Sequence, residues 1–175
     1  MTTTSEAHIR TIEDQHLRAW HDFLRTFKVT VGALEREMQE ERGLPLAWYD
    51  ILLALNFAPE RRLRLQVLAD SVMLSRSGLT RLVDRMAEAG LVNRAPCQED
   101  RRGTFAVLTD EGRETFRAAA PGHVERVSEH FASVMDGDDV RDLRRVLGKV
   151  LDAAGQRQRS YISDRMRGRQ LSSVS

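Results

Sequence analysis

The sequence predicts a mainly α-helical fold with a small β component (α+β), and three observations predict it. Apolar residues recur at spacings of three and four over the first 40 residues and again beyond residue 110, the signature of one-sided helices. Two short strand-like runs, 91–95 and 104–108, flank a loop that contains Pro, Asp and Gly. Charged residues make up 30% of the chain and apolar residues 41%, an ordinary globular balance. No apolar run approaches the roughly 18 residues that a membrane-spanning helix requires.

Taken in order, Trp20, Phe23, Leu24, Phe27, Val31, Leu34 and Met38 line one face of a long helix that ends near Gly43. Pro45 suits the first turn of a second helix, which carries Trp48, Ile51, Leu52 and Leu55 and stops before Pro59. From Leu65 a short apolar helix, a turn and another helix follow. Ser75 is a good N-cap for that next helix and Gly90 a good residue just past its end, while Leu79, Leu82, Val83 and Met86 form its apolar stripe. Its opposite face carries Arg76, Ser77, Thr80, Arg81, Asp84, Arg85 and Glu88. The hairpin comes next, its strands joined by Pro96 through Gly103 with Asp100, Arg101 and Arg102 at the end of the loop. Thr109 can cap a following helix with Asp110 and Glu111 in its first turn and Phe116, Ala120, Val124, Val127, Phe131 and Val134 on its apolar side. Pro121 lies inside this pattern and is expected to kink the helix. A last helix starts near Asp136–Asp138 and carries Val140, Leu143, Val146, Leu147, Val150 and Leu151. Residues 1–11 are expected to be flexible, and the Arg-rich stretch 156–175 a frayed tail or an extension of the last helix.

Two helices, a short gap and an Arg-tipped hairpin, in this order, are the parts of a winged helix-turn-helix. An apolar stripe opposite a charged face describes any surface helix; the hairpin that follows is what separates the two readings. A helix presenting Arg and hydroxyl side chains from its first two turns is equipped to reach base edges in a DNA major groove, and hairpin cations can meet phosphates or a narrow minor groove. The expected DNA contacts are Ser75, Arg76, Ser77, Gly78, Thr80, Arg81 and Arg85 on the helix, with Asp100, Arg101, Arg102, Gly103 and Thr104 in the hairpin. Asp100 is placed to pair with a neighbouring Arg and hold it in one rotamer. The formal net charge is only +1, but nine arginines face six carboxylates between Glu60 and Phe105, so the remainder of the chain is mildly acidic.

Catalysis finds little support. His8, His16, His21, His123 and His130 show neither HExxH nor Cys–His metal spacing, and there is no Gly-rich phosphate loop or G-x-S-x-G. No enzyme, cofactor or metal is expected. His123 and His130 stand seven apart on one helix face, which permits a shared site, though hydrogen-bonded or exposed imidazoles are the simpler reading. Cys97 is the single cysteine, which excludes an intramolecular disulfide and suits a reducing cytoplasm. The opening MTTTSEAHIR lacks the apolar core of a secretory signal.

The run SRSGLTRLVDRMAEAGLVNR, followed by EDRRGTFAVLTDEGRE, resembles the winged-helix core of MarR-type transcriptional regulators. The likeness rests on S-x-S-x-x-T-R-x-V-D-R, then G-L-V-x-R, then the wing D-R-R and L-T-x-E-G, and extends in length and order over roughly residues 12–154. It implies a single MarR-type domain over 12–155, with the winged helix-turn-helix at about 46–109 and dimerisation helices at about 12–43 and 110–155. It further implies a homodimeric repressor that binds an inverted repeat in double-stranded DNA and is released by a small ligand. In that family a pocket between the dimer helices and the winged core commonly takes aromatic carboxylates or phenols. On this chain Trp20, His21, Leu24, Trp48, Tyr49 and Asp50 belong to the two helices that would wall it; Trp20 and Trp48 as core or interface aromatics are the alternative. Family members that sense peroxide use a cysteine in the first helix, where this chain has none. A DNA-binding repressor or architectural protein without any effector stays open beside the ligand-released one.

Overall fold

Helix follows helix in the order the apolar periodicity predicts, and one strand is added that the periodicity did not show. The computed structural model describes residues 14–72, 76–97 and 103–155, the side chains of Arg76 and Ser77 excepted. The elements are α1 (Asp14–Arg42), α2 (Leu46–Phe57), β1 (Arg62–Arg64), α3 (Leu65–Ser71), α4 (Arg76–Glu88), β2 (Val92–Pro96), β3 (Thr104–Leu108), α5 (Asp110–Val127) and α6 (Gly137–Ala153). The expected flexible N-terminus and Arg-rich tail lie outside the described residues.

The core is organised around α2. Its sequence is apolar on nearly every side, so it is buried on nearly every side, and Ile51, Leu52, Ala54 and Leu55 have no exposed surface. Helices α1, α3 and α5 and strand β3 all pack on it. The start of α2 is secured twice: Pro45 accepts from Trp48 N and Tyr49 N at 2.9 and 3.1 Å, and the Glu35 carboxylate of α1 accepts from Leu46 N at 3.1 Å. Helix α4 buries Leu79, Val83 and Met86 of its predicted stripe in the same core, with Leu82 half-buried at its edge.

The sheet is antiparallel in the order β1-β3-β2, with Leu63 opposite Ala106 and Val92 opposite Leu108. Strand β1 was absent from the sequence reading because three residues, Arg-Leu-Arg, are too short for an alternating pattern to register. Its two arginines lie 5.2 and 5.7 Å from the centroid of Phe105 on the neighbouring strand, which adds a cation–π contact to the ladder.

The start of α5 joins the wing to the rest of the protein. Thr109 Oγ1 accepts from Gly112 N at 2.9 Å, as an N-cap does, and lies 2.7 and 2.9 Å from the carbonyls of Gly90 and Leu91, to which it donates. Thr109 N also donates to Leu91 O at 3.2 Å. This brings the first turn of α5 so close to Leu91 that a Cβ on Gly112 would lie 2.1 Å from the Leu91 carbonyl oxygen. Pro121, expected to kink this helix, does not end it: α5 continues to Val127, and the irregularity falls later, in a wide turn at Ser128–Ala132 where Ser133 N reaches Ser128 O at 2.8 Å. The missing N–H of Pro121 deprives only the Arg117 carbonyl of its helical partner, on an exposed side of the helix. Helix α6 begins with a complete capping box, Asp136 accepting from Asp138 N and Asp139 N while Asp139 accepts from Asp136 N.

Two stretches leave large apolar side chains exposed among the described residues. Residues 14–28 of α1 are exposed all round, so Leu17, Trp20, Phe23, Leu24 and Phe27 keep 41–54% of their surface in solvent, whereas Leu34 and Met38 near the other end are buried. Helix α6 scarcely packs on the rest of the described chain and leaves Val140, Val146, Val150 and Leu151 between 39% and 61% exposed.

Replacing Gly112 by Ala is expected to lower stability by about 3 kcal/mol, because the obstruction is backbone and cannot rotate away. Thr109→Val, which removes the cap but keeps the shape, should cost about 1 kcal/mol. Urea denaturation followed by circular dichroism measures both; equal midpoints for Gly112→Ala and the parent chain would refute the account of this junction.

Candidate nucleic-acid interface

Helix α4 owes its placement to its buried stripe and to the way it stops. Gly90, with φ +77°, closes it: Gly90 N donates to Ala87 O and Leu91 N to Met86 O, both at 3.0 Å, a left-handed cap that a residue with a side chain would strain. The chain then enters β2 directly, so the end of the helix and the base of the hairpin are one rigid corner.

The polar face of α4 divides into tied and untied side chains. Asp84 accepts a hydrogen bond from Arg94 of β2. The Arg85 guanidinium sits 5.9 Å from the centroid of the Trp48 ring on α2. These adjacent residues brace α4 against the wing on one side and the central helix on the other; Arg85, expected as a DNA contact, stays exposed with its guanidinium beside the Trp48 ring. Arg81 is exposed and makes no ion pair among the described residues; Gly78 and Thr80 are half-buried beside it. For Arg76 and Ser77 the helical backbone alone is described, and Ser75, Asp100, Arg101 and Arg102 lie outside the described residues. Gly103 and Thr104 form the neck of the hairpin, where Cys97 N donates to Gly103 O at 2.9 Å and Thr104 stands opposite Pro96. Arg62 and Arg64 beside Phe105 are counted in the basic balance of the sequence but not named there as contacts; the Arg-Leu-Arg alternation just before α3 was the available signal.

The six residues of the expected ligand pocket are not brought together within one protomer. Trp20 stacks on Phe23 at 6.0 Å on the exposed part of α1, with His21 and Leu24 exposed beside it. Trp48, Tyr49 and Asp50 instead lie where α2 meets α1 near Glu35. Fifteen residues of helix, about 22 Å, separate Trp20 from Glu35. Tyr49 is buried, its ring 5.6 Å from Phe116 and 4.4 Å from His123. The Trp48 indole N–H is buried without a hydrogen-bond partner among the described residues. Burial, reinforced by the nearby Glu35 carboxylate, pushes the Asp50 carboxyl up to about 6. The crevice between α1 and α5, lined by Leu34, Met38, His123 and Arg126, holds about 10 Å³, room for about one water.

The two histidines of α5 and its extension do not share a site. His123 turns inward onto Tyr49, where burial lowers its pKa and keeps the ring neutral. His130, carried beyond the wide turn, reaches Glu37 of α1 at 2.9 Å. Arg126 lies between Glu37, Glu41 and Glu129 at 3.5, 2.6 and 2.8 Å. The His130 hydrogen bond, and then the nearby positive charges, hold Glu37 below the usual carboxylate range despite some opposing desolvation. Among the described residues no cluster of His, Cys, Asp and Glu could hold a metal ion, and no helix is long and apolar enough to cross a membrane.

Comparison with known proteins bears on this geometry. The MarR family model matches residues 42–103, from the end of α1 to the neck of the wing. The solved structure of AbsC, a MarR family transcriptional regulator from Streptomyces coelicolor, is 36% identical with a TM-score of 0.76, covering 83% of this chain and 97% of AbsC. Sco3205, a MarR family regulator from the same organism solved in complex with DNA, is 32% identical with a TM-score of 0.77, covering 82% of this chain and 90% of Sco3205. The transcriptional repressor YetL of Bacillus subtilis is 33% identical over 87 residues, 50% of this chain and 52% of YetL. The matched part of the chain spans about half the length of the first curated relatives it aligns with.

The raised Asp50 pKa sets a pH dependence with a definite sign. Its folded value lies above its unfolded one, so the ionised form is penalised in the native state; the penalty is full above about pH 7 and disappears as pH falls through 6 toward 4. Asp50→Asn should therefore be more stable than the parent chain at pH 8, by about 1 kcal/mol after discounting for partial solvent exposure, and the advantage should vanish near pH 4. Denaturation midpoints of both proteins across this range test it, and an advantage that grows on acidification would contradict the assignment.

Proposed function

The chain belongs to the MarR family of transcriptional regulators, and from that premise we propose that it is a homodimeric repressor that binds an inverted-repeat operator and is released by a small aromatic anion. Regulators of this family are DNA-binding proteins and not enzymes. What carries the homodimer is the pair of unpartnered apolar faces, residues 17–27 of α1 and the exposed valines and Leu151 of α6. An isolated helix the length of α6 is marginal in water, and each half-exposed large side chain buried against a second copy contributes about 1 kcal/mol. A two-fold dimer presents two copies of α4 to half-sites whose centres are about 10 base pairs apart.

In this reading Ser75, Arg76, Ser77, Gly78, Thr80 and Arg81 enter the major groove, while Asp100, Arg101, Arg102, Gly103 and Thr104 meet phosphates or the minor groove. Arg85 acts differently from the others, holding α4 to Trp48. The DNA complex of Sco3205 supports the DNA partner, and the name of YetL supports repression. A DNA partner supports the cytoplasmic location that the sequence suggests. The aromatic effector requires a pocket completed by the second copy, because Trp20, His21 and Leu24 are remote from Trp48, Tyr49 and Asp50 within one protomer. A ligand stacked on Trp48 would compete with Arg85 and loosen α4, which is the differential interaction that release demands. A repressor or architectural protein with no effector is the second reading, favoured by the closed crevice between α1 and α5.

Light scattering at micromolar concentration is expected to give a dimer, and operator affinity to fall steeply with salt. Arg81→Ala should cost about 1–3 kcal/mol on the operator and relax preference at one base position, whereas Arg101→Ala should weaken all sequences evenly and flatten the salt slope. A monomer, or binding without sequence preference, removes the main reading. Salicylate-type ligands titrated against tryptophan fluorescence and operator release together separate the two effector readings: quenching with release supports the first, and operator affinity unchanged by every ligand supports the second.

A further inference from the structure

A second surface of the protein has the composition of a binding site. Between the end of α2, the Pro59–Arg61 turn and the first turns of α5 lies an open cleft of about 640 Å³, within the range of small-molecule sites. None of its residues belongs to the proposed DNA contacts or to the aromatic pocket. Its lining is mostly polar: Asn56, Glu60, Arg61 and Arg113, with Phe57 and Leu108 as the main apolar side chains.

The charges in the cleft are unbalanced. Glu60 is already paired with Arg62, outside the lining. Arg61 meets Asp110 only at 3.5 Å, and the Asp110 carboxylate is 97% exposed, so that contact is loose and screened by water. Arg113 is half-buried, and its guanidinium has no hydrogen bond or ion pair among the described residues. It also stands at the fourth position of α5, close to the positive end of the helix dipole, where a carboxylate is favoured and a cation is not. Glu60 and Arg61 both adopt left-handed backbone, with φ of 51° and 52°, although neither is glycine. That conformation turns the chain sharply out of α2 and leaves Arg61 at the wall of the cleft opposite α5. Strained backbone held in place by its surroundings is a recurrent property of ligand sites.

We propose that this cleft binds a small, multiply charged organic anion, its carboxylate or phosphate groups held by Arg61 and Arg113 and its polar frame by Asn56. Guanidinium pairs are suited to either oxyanion, in bidentate geometry. The polar lining selects against a flat aromatic acid, which distinguishes this ligand from the effector discussed above. Occupancy would brace α2 against α5 and fix the turn that leads directly into β1 and α3.

Calorimetric titration of the full-length chain without DNA tests this, at constant ionic strength, with citrate, fructose 1,6-bisphosphate, inorganic phosphate and benzoate as probes. Saturable binding of citrate or the bisphosphate at one per protomer is expected, weakened about tenfold or more by Arg113→Gln and by Arg61→Gln and unchanged by Arg117→Gln on the same helix. Citrate alone, or the bisphosphate alone, would identify which oxyanion the cleft takes. No saturable binding overturns the proposal, as does equal affinity in the arginine variants, or phosphate or benzoate binding as tightly as the larger anions. Should Arg61→Gln fail to fold by circular dichroism, Arg113→Gln decides the matter. The absence of DNA from the experiment keeps its outcome independent of the repressor reading.

Discussion

The Thr109–Leu91 junction is the contact on which the rest of the architecture depends. One hydroxyl caps α5 and bonds back to the carbonyls at the end of α4, while Gly112 lets the helix approach the Leu91 backbone without a side chain between them. Helix α4, both long strands of the wing and the helix leading out of the core therefore meet at one point. The L-T-x-E-G pattern after the wing has its physical explanation here: Thr supplies the cap, and Gly supplies the absence of a Cβ.

From that point the protein divides into a rigid head and unfinished supports. Helix α2, buried on nearly every side, ties α1, α3, α5 and the sheet into one core. Beyond the core, the first half of α1 and nearly all of α6 carry apolar faces that stay largely exposed among the described residues. The clamp among Glu37, Glu41, Arg126, Glu129 and His130 marks where α1 leaves the core. Buried apolar residues stop at Leu34, a turn short of Glu37 and the clamp, and none of the α1 residues before it is buried.

Within the head, the side chains of α4 act in opposite directions. Asp84 and Arg85 contact neighbouring elements, one β2 and one Trp48, while Arg81 has no ion pair among the described residues. The buried stripe of α4 by itself leaves rotation about the axis and sliding along it only partly constrained. The two neighbouring charged residues restrict both. Arg85 over Trp48 is also a direct side-chain contact between α4 and a residue expected to wall an effector pocket.

Local signals determined the helices, their caps and the hairpin. The Asp136 and Gly90 caps, and the Thr109 cap on Gly112 N, act within a few residues of themselves, and apolar spacing reports which helix face is buried. The family likeness was legible because the motif it rests on, residues 75–112, is continuous in the chain, although the roles of Thr109 and Gly112 at Leu91 emerge only in the fold. What the sequence could not disclose depends on residues distant in the chain. Strand β1 exists because β3 offers it a ladder and Phe105 a ring; Arg85 faces Trp48 because α2 and α4 share a core; His123 and His130 separate because a wide turn intervenes between them. Trp20 and Trp48 shared an expected pocket on the strength of belonging to neighbouring helices, and the 29-residue length of α1 keeps them apart. The cleft between Arg61 and Arg113 was equally hidden, since 52 positions of chain separate its two cations and only the packing of α5 against α2 brings them to one surface.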